Sequence, residues 1–438
     1  MNLRISALVW ITVLALPTAA QAAEIGPPDD FEAAVAALSP GEELVLRGGT
    51  YTFDENITLR ANGTQSQPIV IRAKAGENPI LTQATSQQNV VEINGSSHLV
   101  IRGLEFTGGS HGIRLIDSDF ITIEDCEVYE TGDVAISANS GGTYEGLRIL
   151  HNHIHHTNGT GEGMYLGCNN DACRVANSLI EGNYIHHTNR STVSQGDGIE
   201  IKEGSYGNVI RDNVIHDTHY PGILVYSTVG NGPPNVIERN VIWNVNDNTV
   251  QMAADTIFRN NIVLGNVAMQ SHQSGSPSNI EFVHNTIISS GNALDVRNVS
   301  GPVLIANNAI YALGTAIRLI SGDIGQVQIT GNVGEGGTSG TSGGYTNGNG
   351  ITNDLWNGHY EGSPPIDPFP ATDSALIGSG NTDHVVTEDF NGSPRSGSAD
   401  VGAYKFQSNG NPGWQIAEAF KSVATAKIPN PPEDLRTE

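Results

Sequence analysis

The chain has 438 residues, 52 of them glycine, and only 15% of it is charged, against roughly 25% in ordinary soluble proteins. Its 46 acidic and 21 basic residues leave a formal charge of −25. That excludes the basic stripes of sequence-independent nucleic-acid binding, and a Gly/Asn/Ile/Thr-rich composition excludes coiled coils and helical repeats.

The first element is a positive start at Met1 to Arg4, an apolar run from Ile5 to Pro17 and the small-residue stretch Ala19 to Ala23. This pattern predicts a signal peptide over residues 1–23, cut near Ala22 or Ala23, and hence a secreted or periplasmic protein. No other stretch is long and apolar enough to cross a bilayer, so a membrane partner is not expected. Asp30 to Leu38 predicts a short amphipathic helix that caps an open core. Residues 24–405 form one repetitive domain, and 406–438 a tail.

One pattern recurs along that domain: apolar, two residues, Asn, one residue, apolar. It places Asn152, Asn183, Asn213, Asn240, Asn260, Asn285, Asn308 and Asn332 in one slot, with Leu104 and Cys126 in the same slot upstream. The spacing averages about 25 residues. Between slots lie short strands led by a small residue, such as those after Gly112, Gly163, Gly198, Gly222 and Ala293. Short alternating strands with Gly and Asn at the bends, at a period in the twenties, predict an all-β parallel solenoid. The asparagines read as inward caps stacked from rung to rung. His155/His156, His186/His187 and His216 recur in matching slots and read as side-chain ladders rather than a metal centre. Cys168 and Cys173 bracket a four-residue loop and can close a disulfide, while Cys126 reads as a buried thiol. Residues 334–350 read as a flexible Gly/Ser/Thr/Asn loop, Asp400 to Tyr404 as a last strand, and the tail from Gln407 as holding one short helix.

Three rungs break the bland pattern. Aligned on Gly163, Gly198 and Gly222, their outward columns hold Tyr165, Glu200 and Leu224, then Gly167, Lys202 and Tyr226. Rungs stack about 4.8 Å apart and i, i+2 residues lie about 6.7 Å apart. Lys202 is then a direct neighbour of Tyr226 and a diagonal neighbour of Tyr165, with Gly167 leaving space beside it. It is the only lysine between Lys74 and Lys405. The bland alternative is an exposed ion pair with Glu200 or Asp197, worth little. Longer loops in the same rungs carry Glu162, Arg190, Gln195 and Asp197 and suggest the walls of a cleft. His219, which breaks the repeat just before Gly222, is a further binding candidate.

Gly48-Gly-Thr-Tyr51, the asparagine rungs and Asp389-Phe-Asn-Gly-Ser-Pro-Arg395 resemble secreted right-handed parallel β-helix proteins of the pectate-lyase-like superfamily. Glu162-Gly-Met-Tyr-Leu-Gly167 followed by Gly196-Asp-Gly-Ile-Glu-Ile-Lys202 more specifically resembles the β-helical alginate lyases of polysaccharide lyase family thirty-one. That resemblance implies a catalytic Tyr–Lys pair at Tyr165 and Lys202 and an anionic polysaccharide substrate, alginate-like first. The chondroitinase-B-like lyases use Lys and Arg, whereas Tyr226 stands in the slot beside Lys202. The implied reaction is β-elimination, with Tyr226, Arg190, His219, Glu162, Asp197, Glu200 and Arg211 around the sugar. Carboxylate neutralisation falls to Arg190, Arg211, His219 or a Ca²⁺ held by Glu162, Asp197 and Glu200; no obligatory cofactor is expected. The other readings are a uronan C5-epimerase and a non-catalytic glycan-binding or adhesin β-helix. A monomer is expected.

Overall fold

The computed structural model describes residues 22–341 and 343–422. Residues 1–21, which hold most of the expected signal peptide, lie outside the described residues. Ala22–Ile25 pairs in parallel with Glu43–Leu46.

Each rung turns through three strands. Arg148–Leu150, His153–His155 and Met164–Leu166 make up one such rung; Leu179–Glu181, Tyr184–Thr188 and Ile199–Ile201 lie next above it, all in parallel register. Among the described residues the first face holds 13 strands. The second and third faces join into one sheet where Ala309–Leu319 runs through both. The chain is thus the predicted all-β parallel solenoid. Met164, Leu166, Ile199, Ile201, Ile223 and Val225 all point inward and are fully buried, as period-2 alternation requires. Phe31–Ala36 is the capping helix, with the Asp30 side chain accepting from the Ala33 N–H, and Phe31 and Val35 close the core. Among the described residues no helix is long and apolar enough to cross a membrane.

The asparagine ladder runs Asn152, Asn183, Asn213, Asn240, Asn261, Asn285, Asn308, Asn332, each Nδ2 donating to the next Oδ1 at 2.9–3.1 Å. Asn261, not Asn260, fills the fifth slot. The corner explains the shift. The residue before each ladder position has positive φ: His151 53°, Gly182 67°, Asp212 57°, Asn260 53°, Asn307 57°. Asn tolerates that conformation, so Asn260 turns the corner and Asn261 caps it. A pattern of spacing alone does not separate two adjacent asparagines. A second ladder, Ser178, Asn208, Asn235, was not expected.

His155, His186 and His216 stack with ring centroids 5.1 and 5.2 Å apart, and Trp243 continues the stack at 4.4 Å. Cys168 and Cys173 form the disulfide, and Cys126 is a free buried thiol.

Three expectations fail near the C-terminal end. The region read as a flexible loop forms the strands Asn332–Ser339 and Tyr345–Asn347, because the sheet offers an edge on which even Gly and Thr can pair. Asp400 to Tyr404 is not a strand. The buried Arg395 guanidinium instead donates to the carbonyls of Asp400, Gly402, Ala403 and Tyr404. Residues 407–422 hold no helix. This irregular segment carries the buried Lys421, whose Nζ donates to Asp212, the Arg239 carbonyl and the Phe390 carbonyl at 2.8–2.9 Å.

Candidate active site

The three unusual rungs meet on the third face as their alternation demands. Tyr165 pairs with Glu200 and Glu200 with Leu224. The Lys202 N–H donates to Leu166 and the Tyr226 N–H to Ile201. Lys202 Nζ lies 2.7 Å from Glu200 Oε1 and 3.1 Å from the Tyr226 hydroxyl, which itself donates to Glu200 at 3.0 Å. The same Nζ sits 4.7 Å from the Tyr165 ring centroid and 4.4 Å from that of Tyr226. The pair is not the exposed ion pair of the bland alternative: Lys202 is 3% and Glu200 2% exposed.

Gly167 permits this approach. Its φ is +99°, and a Cβ there would come within 3.0 Å of Lys202 Cβ and 2.7 Å of Ser205 Oγ. The space beside Lys202 is therefore already filled by its own stem. Gly167→Ala is expected to push Lys202 out of position and to destabilise by about 1–3 kcal/mol. A urea melt of the variant against the wild type checks it.

Glu162 and Asp197 complete an acidic cluster. With Glu200 they offer one oxygen each within 4.8 Å of one another, at exposures of 0, 1 and 2%. Thr160 donates to Glu162 Oε2 at 2.6 Å. Glu162 Oε1, both Asp197 oxygens and Glu200 Oε2 have no partner. Burial first, then Glu200 and Asp133 beside it, push the Glu162 carboxyl up to about 7. Burial, then Glu200 and Glu162, raise Asp197 well above the carboxylate range. Orphaned, mutually repelling buried oxygens are costly unless a cation joins them. A set of hard carboxylate oxygens fits Ca²⁺ or Mg²⁺. Burial, followed by the charges of Glu200, Glu162 and Asp197, raises the Tyr165 phenol, so it stays protonated at neutral pH.

The other expected residues scatter. Arg190 pairs with Glu130, with Nη1 to Oε2 at 2.6 Å. Arg211 lies on the first face, paired with Glu181 at 2.6 Å. Neither is brought to Lys202: the Arg190 loop folds back toward an earlier rung, and alternation sends Arg211 outward on a different sheet. His219 flanks the acidic cluster through its N–H on the Gly196 carbonyl, its ring stacked on Tyr220. Sequence reasoning missed His272, whose ring lies 4.7 Å from that of Tyr226. It also missed Glu203, buried beside Lys202 and accepting from the Ser274 N–H. Gln273 reaches across to donate to Asn169 in the disulfide loop at 2.8 Å, so two loops about a hundred residues apart roof this end of the site. The only available signal was a histidine outside the ladder slots.

The stacked three-strand rungs define the class: the right-handed pectate-lyase-like β-helices. The family model for the Pel9A-like right-handed β-helix region matches residues 17–290, more than half of the chain, and the chain belongs to that family. Pectate lyase L of Paenibacillus polymyxa is 25% identical over 316 residues, covering 67% of this chain and 65% of that protein. Pectate lyase PEL9 of Emericella nidulans is 27% identical over 188 residues, 42% of this chain and 41% of that one. The chain thus spans less than two thirds of these curated relatives. The crystal structure of pectate lyase Pel9A superimposes with a TM-score of 0.52 at 14% identity, over 88% of this chain and 96% of that one, a likeness of fold.

Proposed function

We propose that the protein is a polysaccharide lyase that cleaves a 4-linked uronic-acid polymer by β-elimination. The observation that carries this reading is Lys202 Nζ, buried between two tyrosines and bonded to Glu200 at the rim of an acidic cluster. Lys202 Nζ acts as the base that takes the C5 proton. The C4–oxygen bond breaks, a C4–C5 double bond forms, and the Tyr165 hydroxyl gives its proton to the leaving oxygen. Tyr226 orients Lys202 from the opposite side. Glu162, Asp197 and Glu200 would hold a divalent cation, which supplies the positive charge that neutralises the sugar carboxylate. The burial of these three carboxylates favours a required cation over the cofactor-free reading, and it removes Arg190 and Arg211 from that role. With a chain charge of −25, an anionic polymer is met by this local patch rather than by bulk attraction. Membership of the Pel9A-like family favours polygalacturonate over the alginate-like polymer expected from the two motifs. Such a substrate accords with export directed by residues 1–23.

The test is incubation with polygalacturonate, alginate, hyaluronan and chondroitin, with Ca²⁺ or chelator, following ultraviolet absorbance of the unsaturated product. No absorbance on any polymer sinks the proposal, and altered polymer composition without absorbance would indicate an epimerase.

The cradle also predicts a pH dependence. Glu162 titrates at about 7 in the fold against an ordinary 4.5. Its contribution to stability is intact below pH 4.5 and is lost as pH rises through 7. Without cation, Glu162→Gln is therefore expected to leave Tm unchanged at pH 4.5 and raise it at pH 8. Millimolar Ca²⁺ should raise the wild-type Tm at pH 8 and do less for the variant. Thermal melts at both pH values check both statements.

A further inference from the structure

A second cluster lies on a different face of the helix. On the second face Glu127 is in register with His153, and Tyr129 with His155. His153 and His155 are two residues apart on one strand, so both project outward. Glu127 Oε1 lies 3.2 Å from His153 Nδ1 and 2.9 Å from His155 Nε2, and the three ligand atoms fall within 4.8 Å of one another. We propose that Glu127, His153 and His155 form a binding site for a borderline divalent transition-metal ion of the zinc type.

The donor chemistry fits. One carboxylate oxygen and two imidazole nitrogens are a known zinc donor set, with bonds of about 2.0–2.2 Å. A tetrahedral centre with such bonds needs donors about 3.4 Å apart, so shifts of a few tenths of an ångström open the cluster around an ion. A cavity of about 360 Å³ adjoins Glu127 and His153 and leaves room for a water or exogenous ligand in the fourth position. The Phe420 ring, carried by the C-terminal segment, stands 6.1 Å from His153 and lines the same cavity.

The surrounding histidines support the ligands. His153 Nε2 lies 2.9 Å from His186 Nε2, and His186 Nδ1 lies 2.6 Å from His187 Nδ1. His155 Nδ1 lies 2.7 Å from His156 Nδ1. Each close nitrogen pair has room for one proton. Without an ion, His153 and His155 turn N–H groups toward Glu127. With an ion, His153 Nε2 and His155 Nδ1 carry the protons, His186 and His156 accept, and His186 Nδ1 donates on to His187; the protons leaving His153 Nδ1 and His155 Nε2 pass to water, and His187 Nε2 and His156 Nε2 each take one from water. The change is a concerted exchange of tautomers with no net proton gained or lost. Outer rings that fix a ligand's tautomer are the usual support of a metal-bound histidine. A ladder serving packing alone requires only the ring stack of His155, His186 and His216. It does not require the convergence of His153 and Glu127 on one point.

The test is titration of the full chain with Co²⁺ and Zn²⁺ at pH 7.5 in millimolar Ca²⁺, which occupies the acidic cradle of the third face. The wild type is expected to bind one Zn²⁺ and to show the visible Co²⁺ bands of a four-coordinate nitrogen/oxygen centre. His153→Ala, which leaves the His155 stack intact, and Glu127→Gln should each weaken binding by at least about 10-fold. Circular dichroism melts check that both variants fold. Wild-type protein that binds no Zn²⁺, or a Co²⁺ spectrum unchanged in both variants, overturns the site. Because the readout is metal binding, this result is independent of whether the protein cleaves any polymer.

Discussion

Lys202→Ala and Tyr165→Phe are each expected to lower kcat on the cleaved uronan by about 10²–10⁴-fold, the usual contribution of a positioned acid or base. The two substitutions differ in cost to the fold. Lys202 neutralises Glu200 in a site that is almost water-free. Its removal leaves an unpaired buried carboxylate, which destabilises by about 3–5 kcal/mol. Tyr165→Phe removes only a hydroxyl. Burial and carboxylate neighbours, rather than a hydrogen bond, account for the raised pKa of that phenol, so little stability goes with it. The informative result is therefore a Tyr165→Phe protein with wild-type Tm and strongly reduced kcat. Full activity in both variants would remove Lys202 and Tyr165 from the chemistry. Steady-state kinetics paired with thermal melts decide it.

Asn213→Ala is expected to be among the most destabilising single changes in the chain, by about 3–5 kcal/mol. Asn213 is fully buried. Its Oδ1 accepts from the N–H and Nδ2 of Asn183 at 2.9 Å, and its Nδ2 donates to the Ile180 carbonyl and Asn240 Oδ1 at 2.9–3.0 Å. Alanine orphans groups on both neighbouring rungs, each costing about 1–3 kcal/mol when buried without a partner. A solenoid transmits that loss, because each rung is stabilised mainly by its neighbours. The exposed Asn246→Ala is the control and should change stability by less than about 0.5 kcal/mol. Equal midpoints for the two variants in urea would show that the ladder carries no such share.

The readability of the sequence followed the range of the interactions. Period-2 alternation and the repeat of about 25 residues are local, so the solenoid, the rung registers, the capping helix and the ladder slots were legible. So was the alignment of Tyr165, Glu200, Lys202 and Tyr226, because one register places all of them. The Asn260/Asn261 error marks the limit of this local reading. Both residues satisfy the composition of a bend, and only the left-handed φ of the corner separates them.

Contacts that depend on loop paths and on the C-terminal segment were not legible. Arg190 turns to Glu130, 60 residues away, and Gln273 reaches the disulfide loop across 104. Lys421 is buried against Asp212, 209 residues earlier. No periodicity encodes such pairings, since they depend on how irregular segments lie over a finished scaffold. Burial belongs with them. Alternation places Glu200 and Lys202 outside the core and loops carry Glu162 and Asp197, yet all four are buried. Repetition along the chain therefore settled the scaffold and which residues share a face. The tertiary structure alone decided that this face is a dry, charge-dense site, because desolvation comes from distant segments that no local pattern records.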